Sequence, residues 1–204
     1  VLTASNPRKA KKTMAAAMTR GTQDGGLGVA IKHFAANNRE SNRNDVDSRI
    51  SERALREIYL KGFEITVKEG APWTVMSSYN FLNGQETSER YDLLTKILRE
   101  EWGFDGLVMT DWGNNSFFWK EIKAGNNLKM PGGNPEDLVK AYEKGLLSRG
   151  DLEKNAVVIL ETIMKTNTFQ ARAVSPAYQS IAKYNTTRLD AIDYAWISSG
   201  IRPE

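Results

Sequence analysis

Short apolar runs alternate along this chain with longer segments whose apolar positions recur every three to four residues. Val29-Ala30-Ile31-Lys32-His33-Phe34, Thr74-Val75-Met76-Ser77-Ser78-Tyr79 and Leu107-Val108-Met109-Thr110-Asp111 have strand length and composition, and Asn127-Leu128-Lys129-Met130 is a weaker fourth. Ser51 is placed to cap a helix carrying Leu55, Ile58, Tyr59, Gly62 and Phe63 on one face, stopped by Gly70 and Pro72. Tyr91, Leu94, Ile97 and Leu98 mark a second amphipathic helix that ends near Gly103. Asn134-Pro135 supplies a cap and a first-turn proline for a third, whose apolar face is Leu138, Ala141 and Tyr142. Ser148-x-x-Asp151 has the form of a capping box ahead of Leu152, Ala156, Ile159, Leu160, Ile163 and Met164. Lys9 to Arg20 reads as a helix, broken by Gly21, Gly25, Gly26 and Gly28. Asn37 to Ser48 is polar without a period, and Asn83-Gly84 marks a turn.

Strand then helix, repeated four times, predicts a parallel sheet with helical crossovers. Short apolar runs, instead of alternating ones, imply strands covered on both faces. A doubly wound α/β sheet and a (β/α)8 barrel both satisfy this pattern. At 204 residues the chain divides into an N-terminal helical segment (1–24), an α/β segment (25–170) and a tail or linker (171–204), where the period fades after Ser175.

Charge and composition narrow the function. Twenty-eight basic against 25 acidic residues give +3, too weak a field for a nucleic-acid partner. With no cysteine and one histidine, thiolate chemistry and multi-histidine metal sites are excluded, and no cofactor is called for. No apolar run approaches the roughly 18–20 residues needed to span a bilayer, so no membrane partner is expected. The chain begins at Val1 without a leader, as a trimmed sequence would. Cytoplasmic placement is favoured on this composition, and secretion stays open if a leader was removed.

In either fold, ligands bind at the carboxyl ends of the strands. There stand Lys32-His33, Tyr79 with Met76, Asp111-Trp112 and Met130-Pro131-Gly132. A cation, an imidazole, a phenol, a carboxylate and an indole on one rim suit a hydroxyl-rich ligand with a flat apolar face. Gly25-Gly26-Leu27-Gly28 precedes a strand where a dinucleotide loop must follow one, so it reads as a turn.

Six blocks, in order and spacing, resemble glycoside hydrolase family 3 in its β-glucosidase branch. They are Lys32-His33-Phe34-Ala35-Ala36-Asn37, Val46-Asp47-Ser48, Ser51 to Tyr59, Val75 to Asn80, Leu98 to Val108, and Thr110-Asp111-Trp112. The resemblance covers roughly residues 25 to 165 and implies part of a (β/α)8-type barrel with a retaining mechanism. Asp111 matches the family's catalytic nucleophile. Lys32, His33, Arg43 and Tyr79 match positions that bind the hydroxyls of the non-reducing-end sugar, and Met76 and Trp112 line the same subsite.

Two departures accompany the match. About four β/α units are visible where a barrel of about 250 residues has eight. The branch also draws its acid/base glutamate from a separate sandwich domain that has no counterpart here. Glu86, Glu89 and Glu121, which follow strands, are the nearby carboxylates. The N-acetylhexosaminidase branch would show Pro-Gly-His after the Lys-His pair, and Ala35-Ala36-Asn37 stands there instead. The expectation is a glycoside hydrolase of β-linked glucosides whose nucleophile half is this chain. Its partners would be the rest of the barrel and a sandwich domain, or further copies of itself. The alternative is an inactive barrel fragment that binds carbohydrate or oligomerises.

Overall fold

The computed structural model describes residues 2–3 and 9–169, with side chains from Met14 onward. The chain divides at Ile163–Met164 into two compact units, and the elements that position the site belong to the first. These are β1 (Leu2–Thr3), α1 (Lys9–Asp24), β2 (Ala30–Phe34), β3 (Asp47–Ser48), α2 (Glu52–Ala54), α3 (Lys61–Gly70), β4 (Thr74–Ser77), β5 (Phe81–Leu82), β6 (Gln85–Glu86), β7 (Leu107–Met109), α4 (Phe118–Ala124), α5 (Pro135–Glu143) and α6 (Arg149–Met164). Wide π-helical turns fill Leu55–Tyr59, between α2 and α3, and Asp92–Glu101, between β6 and β7.

β1, β2, β4 and β7 form a four-stranded sheet in that order. All its pairings are parallel, as the strand–helix alternation predicts. Thr74, Val75 and Met76 lie in register with Leu107, Val108 and Met109, so all carboxyl ends open on one rim. Ile31, Val75 and Val108 on one face are fully buried. They meet Leu60, Phe63, Leu94, Leu98 and Trp102 from the crossovers. Phe34 anchors this layer, edge-on to Phe63 and Trp102 with ring centroids 5.0 and 5.9 Å away.

Both faces of the strands were expected to be covered; among the described residues they are not. Ala30, Lys32, Thr74 and Met76, which alternate with the buried set, are only half-buried. The N-terminal helix, expected as a separate segment, packs against α3, with Ala15, Ala16 and Thr19 buried. Gly70 permits that approach, because a Cβ there would lie 3.1 Å from Thr19 Cβ and 3.2 Å from the Ala16 backbone.

The fourth strand reduces to one parallel bridge, Met109 with Leu128. Side chains supplement its few backbone bonds. Asn127 Oδ1 accepts from the Val108 N–H at 3.0 Å, and the Thr110 hydroxyl accepts from the Met130 N–H at 2.8 Å. Pro131, which has no N–H, then ends the pairing.

The caps follow the sequence. Ser51 accepts from Ala54 N–H, and Asn134 accepts from Glu136 N–H with Pro135 in the first turn. Ser148 and Asp151 exchange reciprocal bonds, 2.8 Å to Asp151 Oδ2 and 3.1 Å to Ser148 Oγ. Asn83 and Gly84, at φ +51° and +89°, turn the β5–β6 hairpin. The polar, aperiodic segment Asn37 to Ser48 contributes β3, which pairs with β5.

Candidate active site

β2, β4 and β7 deliver His33, Tyr79 and Asp111 to one end of the sheet, and their side chains meet there. His33 Nε2 lies 3.3 Å from Asp111 Oδ2, with both side chains mostly buried. The other carboxylate oxygen, Oδ1, accepts from the Trp112 backbone N–H at 2.8 Å. Tyr79 donates its hydroxyl to the Trp112 carbonyl, so the phenol and the carboxylate hold the two peptide groups that flank Trp112. The Arg43 guanidinium stacks over the Tyr79 ring, 4.6 Å from its centroid.

The remaining predicted residues hold looser places. Lys32 lines a cavity beside His33, together with Asn37, Asn38 and Tyr59. Met76 sits half-buried on the open face of β4, in register with Met109. Trp112 is 59% exposed, a bare indole next to the carboxylate.

Burial holds the His33 imidazole below its ordinary pKa of 6.5, and Lys32 and Arg43 push the same way. The Asp111 and Glu40 charges oppose them without prevailing. His33 is therefore a neutral hydrogen-bonding group near pH 7. The Tyr79 phenol is raised, by burial first and then by the Asp111 charge, and stays a hydroxyl donor.

Two features escaped the sequence reading. Glu40 accepts from Asn37 Nδ2 at 3.1 Å and from Arg43 Nη1 at 3.0 Å, fixing the loop that carries the guanidinium. Its signal was there to find, since Asn37, Glu40 and Arg43 recur at intervals of three. The second is a buried polar cluster beneath the loop after Trp112, built from Ser88, Asn114, Ser116, Glu121 and Lys129. It absorbs one of the nearby carboxylates: Glu121 is fully buried and lies 2.7 Å from Lys129 Nζ. Glu89 is likewise engaged, accepting from Phe117 N–H at 2.8 Å. Glu86 is raised by burial first, then by the Glu89 charge, so it belongs with this cluster.

Comparisons with known proteins agree with this architecture. The sequence profile of the Glycosyl hydrolase family 3 N terminal domain matches residues 4–160, which brings the N-terminal helix inside the family's boundaries. The chain is 55% identical over 140 residues to β-glucosidase A of Butyrivibrio fibrisolvens, covering 69% of this chain and 17% of that protein. It is 46% identical over 150 residues to an exo-α-(1→6)-L-arabinopyranosidase of Bifidobacterium longum, covering 73% and 20%. The chain thus spans about a fifth of the length of such relatives. β-Glucosidase 3B of Thermotoga neapolitana, solved with glucose, superposes with a TM-score of 0.75 at 46% identity, covering 78% of this chain and 24% of that structure. The parallel sheet is accordingly part of a TIM-like (β/α)8 barrel, and the chain belongs to glycosyl hydrolase family 3.

Proposed function

We propose that this chain supplies the nucleophile half of a retaining β-glucosidase-like site. The observation that carries the reading is the Asp111–His33 contact at the carboxyl rim, with Tyr79 and Arg43 closed around it. A carboxylate there is placed to attack the anomeric carbon as the glycosidic bond breaks. The aglycone oxygen leaves with the bonding electrons and takes a proton from a general acid. The glycosyl ester on Asp111 is then hydrolysed by water.

Lys32, His33 and Arg43 provide donors for sugar hydroxyls, and a site built to bond a hydroxyl rejects sugars that lack it. Trp112 offers an apolar face to the ring, and Met76 lines the approach. The acid/base must lie about 5–5.5 Å from the nucleophile in a retaining enzyme. With Glu121 and Glu89 both committed elsewhere and Glu86 set against Ser116 in the same polar cluster, that group comes from outside this segment, as do the strands that complete the barrel. Relatives named β-glucosidase and exo-α-(1→6)-L-arabinopyranosidase support a β-glucoside or a close stereochemical relative as the sugar at this subsite.

The test is covalent trapping in the intact enzyme, meaning this segment with the barrel units and acid/base that complete it. A 2-deoxy-2-fluoro-β-glucosyl fluoride should add one sugar to Asp111, located by peptide mass spectrometry. Asp111→Asn should lower turnover of an aryl β-glucoside by roughly three orders of magnitude or more while thermal unfolding stays put. Label on another residue, or near-normal turnover of the variant, overturns the assignment. Sugar binding without turnover would instead favour a non-catalytic fragment.

A further inference from the structure

The loop after β7 is held by an unusual number of groups from one short segment. Residues 128–130 run beside it and bond it in sequence. Thr110 N–H donates to the Leu128 carbonyl at 2.9 Å, Met130 N–H to the Thr110 hydroxyl at 2.8 Å, and Gly113 N–H to the Met130 carbonyl at 3.0 Å. Asp111 and Trp112 are thus clamped on both sides. Lys129, in the middle of this segment, turns its side chain inward. Its ammonium donates to Asn114 Oδ1 at 2.9 Å, to the Ser116 carbonyl at 2.8 Å and to Glu121 Oε1 at 2.7 Å. Glu121 Oε1 also accepts from Asn114 Nδ2 at 2.9 Å and from the Ser116 hydroxyl.

A buried ion pair is weak evidence of stability, because desolvation cancels much of its attraction. What it supplies is geometry. The ammonium has three donors, and all three are spent on groups whose positions fix the 112–117 loop. The same backbone segment that clamps Asp111 therefore also anchors the loop beyond it.

We propose that Lys129, held by Glu121, is a positioning residue that sets the placement of Asp111 and Trp112 for attack on the sugar. This rests on the reading of Asp111 as nucleophile. Lys129 never touches substrate; it acts through residues 110–116.

The test compares the wild-type intact enzyme with the double variant Lys129→Met/Glu121→Gln. Removing both charges avoids stranding a buried carboxylate, which in Lys129→Met alone endangers folding. Two readouts are taken on the same samples. The first is the rate at which 2-deoxy-2-fluoro-β-glucosyl fluoride labels Asp111. The Asp111 carboxylate bonds to C1 while the C–F pair departs as fluoride, so the rate reports nucleophile placement with little demand on an acid. The second is hydrogen exchange at the Gly113 amide, which needs no activity.

The expected result is labelling slowed at least tenfold and Gly113 exchange accelerated at least tenfold, with a melting temperature within a few degrees of wild type. A folded variant that labels at the wild-type rate, or keeps Gly113 fully protected, overturns the proposal. A wild-type enzyme that takes no label counts against the nucleophile reading instead, and Gly113 exchange then decides the loop anchoring by itself.

Discussion

His33 is a usable probe of this site because it is the chain's one histidine, so its imidazole resonances need no assignment. Burial lowers its pKa, while Asp111, 3.3 Å away, raises it against that trend. The two influences separate by mutation. In the wild-type protein the imidazole titration followed by NMR should have its midpoint below 6.5. In Asp111→Asn, which keeps the shape and removes the opposing charge, the midpoint should fall further. An unchanged midpoint in the variant would show that Asp111 does not bear on the imidazole. The linkage to stability has a definite sign. The folded value lies below the unfolded one, so the unfolded chain binds the proton more readily. The neutral ring is compatible with the fold above pH 6.5, and a destabilising contribution grows as pH drops through that value toward the folded pKa. A catalytic role in which His33 carries the proton to the leaving group would call for the opposite shift. Its environment suits a neutral donor to a sugar hydroxyl or to the carboxylate beside it.

At the scale of elements, α4 shows how a distant side chain can start a helix. Phe117 at its N-cap offers no side-chain acceptor, and Glu89, 28 residues earlier in the chain, accepts the Phe117 N–H instead. Glu89→Ala should therefore cost about 1–2 kcal/mol in denaturant unfolding, the usual price of a lost cap. Lys120→Ala removes the Lys120–Glu89 ion pair, 3.3 Å long and open to solvent on the lysine side, while sparing the cap. It should cost less than about 1 kcal/mol. Equal losses would assign Glu89 to the ion pair and not to the helix. The same contact explains why α4 was illegible: Ser116 is a capping residue type but spends its hydroxyl on Glu121, and the group that takes the Phe117 N–H lies in another part of the chain. Ser51, Asn134 and the Ser148–Asp151 box were legible because each acts on a backbone group within three residues, and Asn83-Gly84 because the turn rests on the backbone angles of those two residues. The weak fourth strand failed for the converse reason. Its apolar content is thin because Asn127 and Lys129 spend their side chains on partners that no period reveals. Of the site, the rim residues were readable from strand ends and family blocks. The Lys129 anchor was not, since a lysine between two apolar residues looks like a solvent-facing strand position.

For the whole molecule, the four-stranded sheet is an arc of a barrel, with β1 at one edge and β7, extended only by the short segment at residues 127–130, at the other among the described residues. Backbone groups at such edges template pairing with other chains. The uncovered face carries Lys32, Met76 and Met109, half-buried side chains in positions where a closed barrel packs further strands. Trp112 and Phe117, 59% and 61% exposed, add aromatic surface on the loop that follows β7. The chain studied alone should therefore self-associate, and two copies closing one sheet across a two-fold axis would set two Asp111 carboxylates on a single rim. Catalysis does not follow from that closure. On the proposed reading each copy brings a nucleophile and hydroxyl-binding groups, but Glu121 is locked to Lys129, Glu89 caps α4 and Glu86 is set against Ser116, so none of the three is free to protonate a leaving oxygen. Sugar binding and turnover should accordingly part company. Isothermal titration with glucose should detect weak binding, and cellobiose, whose alkoxide leaving group needs a proton, should stay intact. A glucosyl fluoride or a dinitrophenyl glucoside, which needs little acid help, should still transfer its sugar to Asp111 slowly if the rim forms. Sedimentation velocity and a cellobiose assay on the same preparation decide the matter. A compact monomer that hydrolyses cellobiose would mean that this segment closes its own site and carries its own acid, against both halves of the expectation.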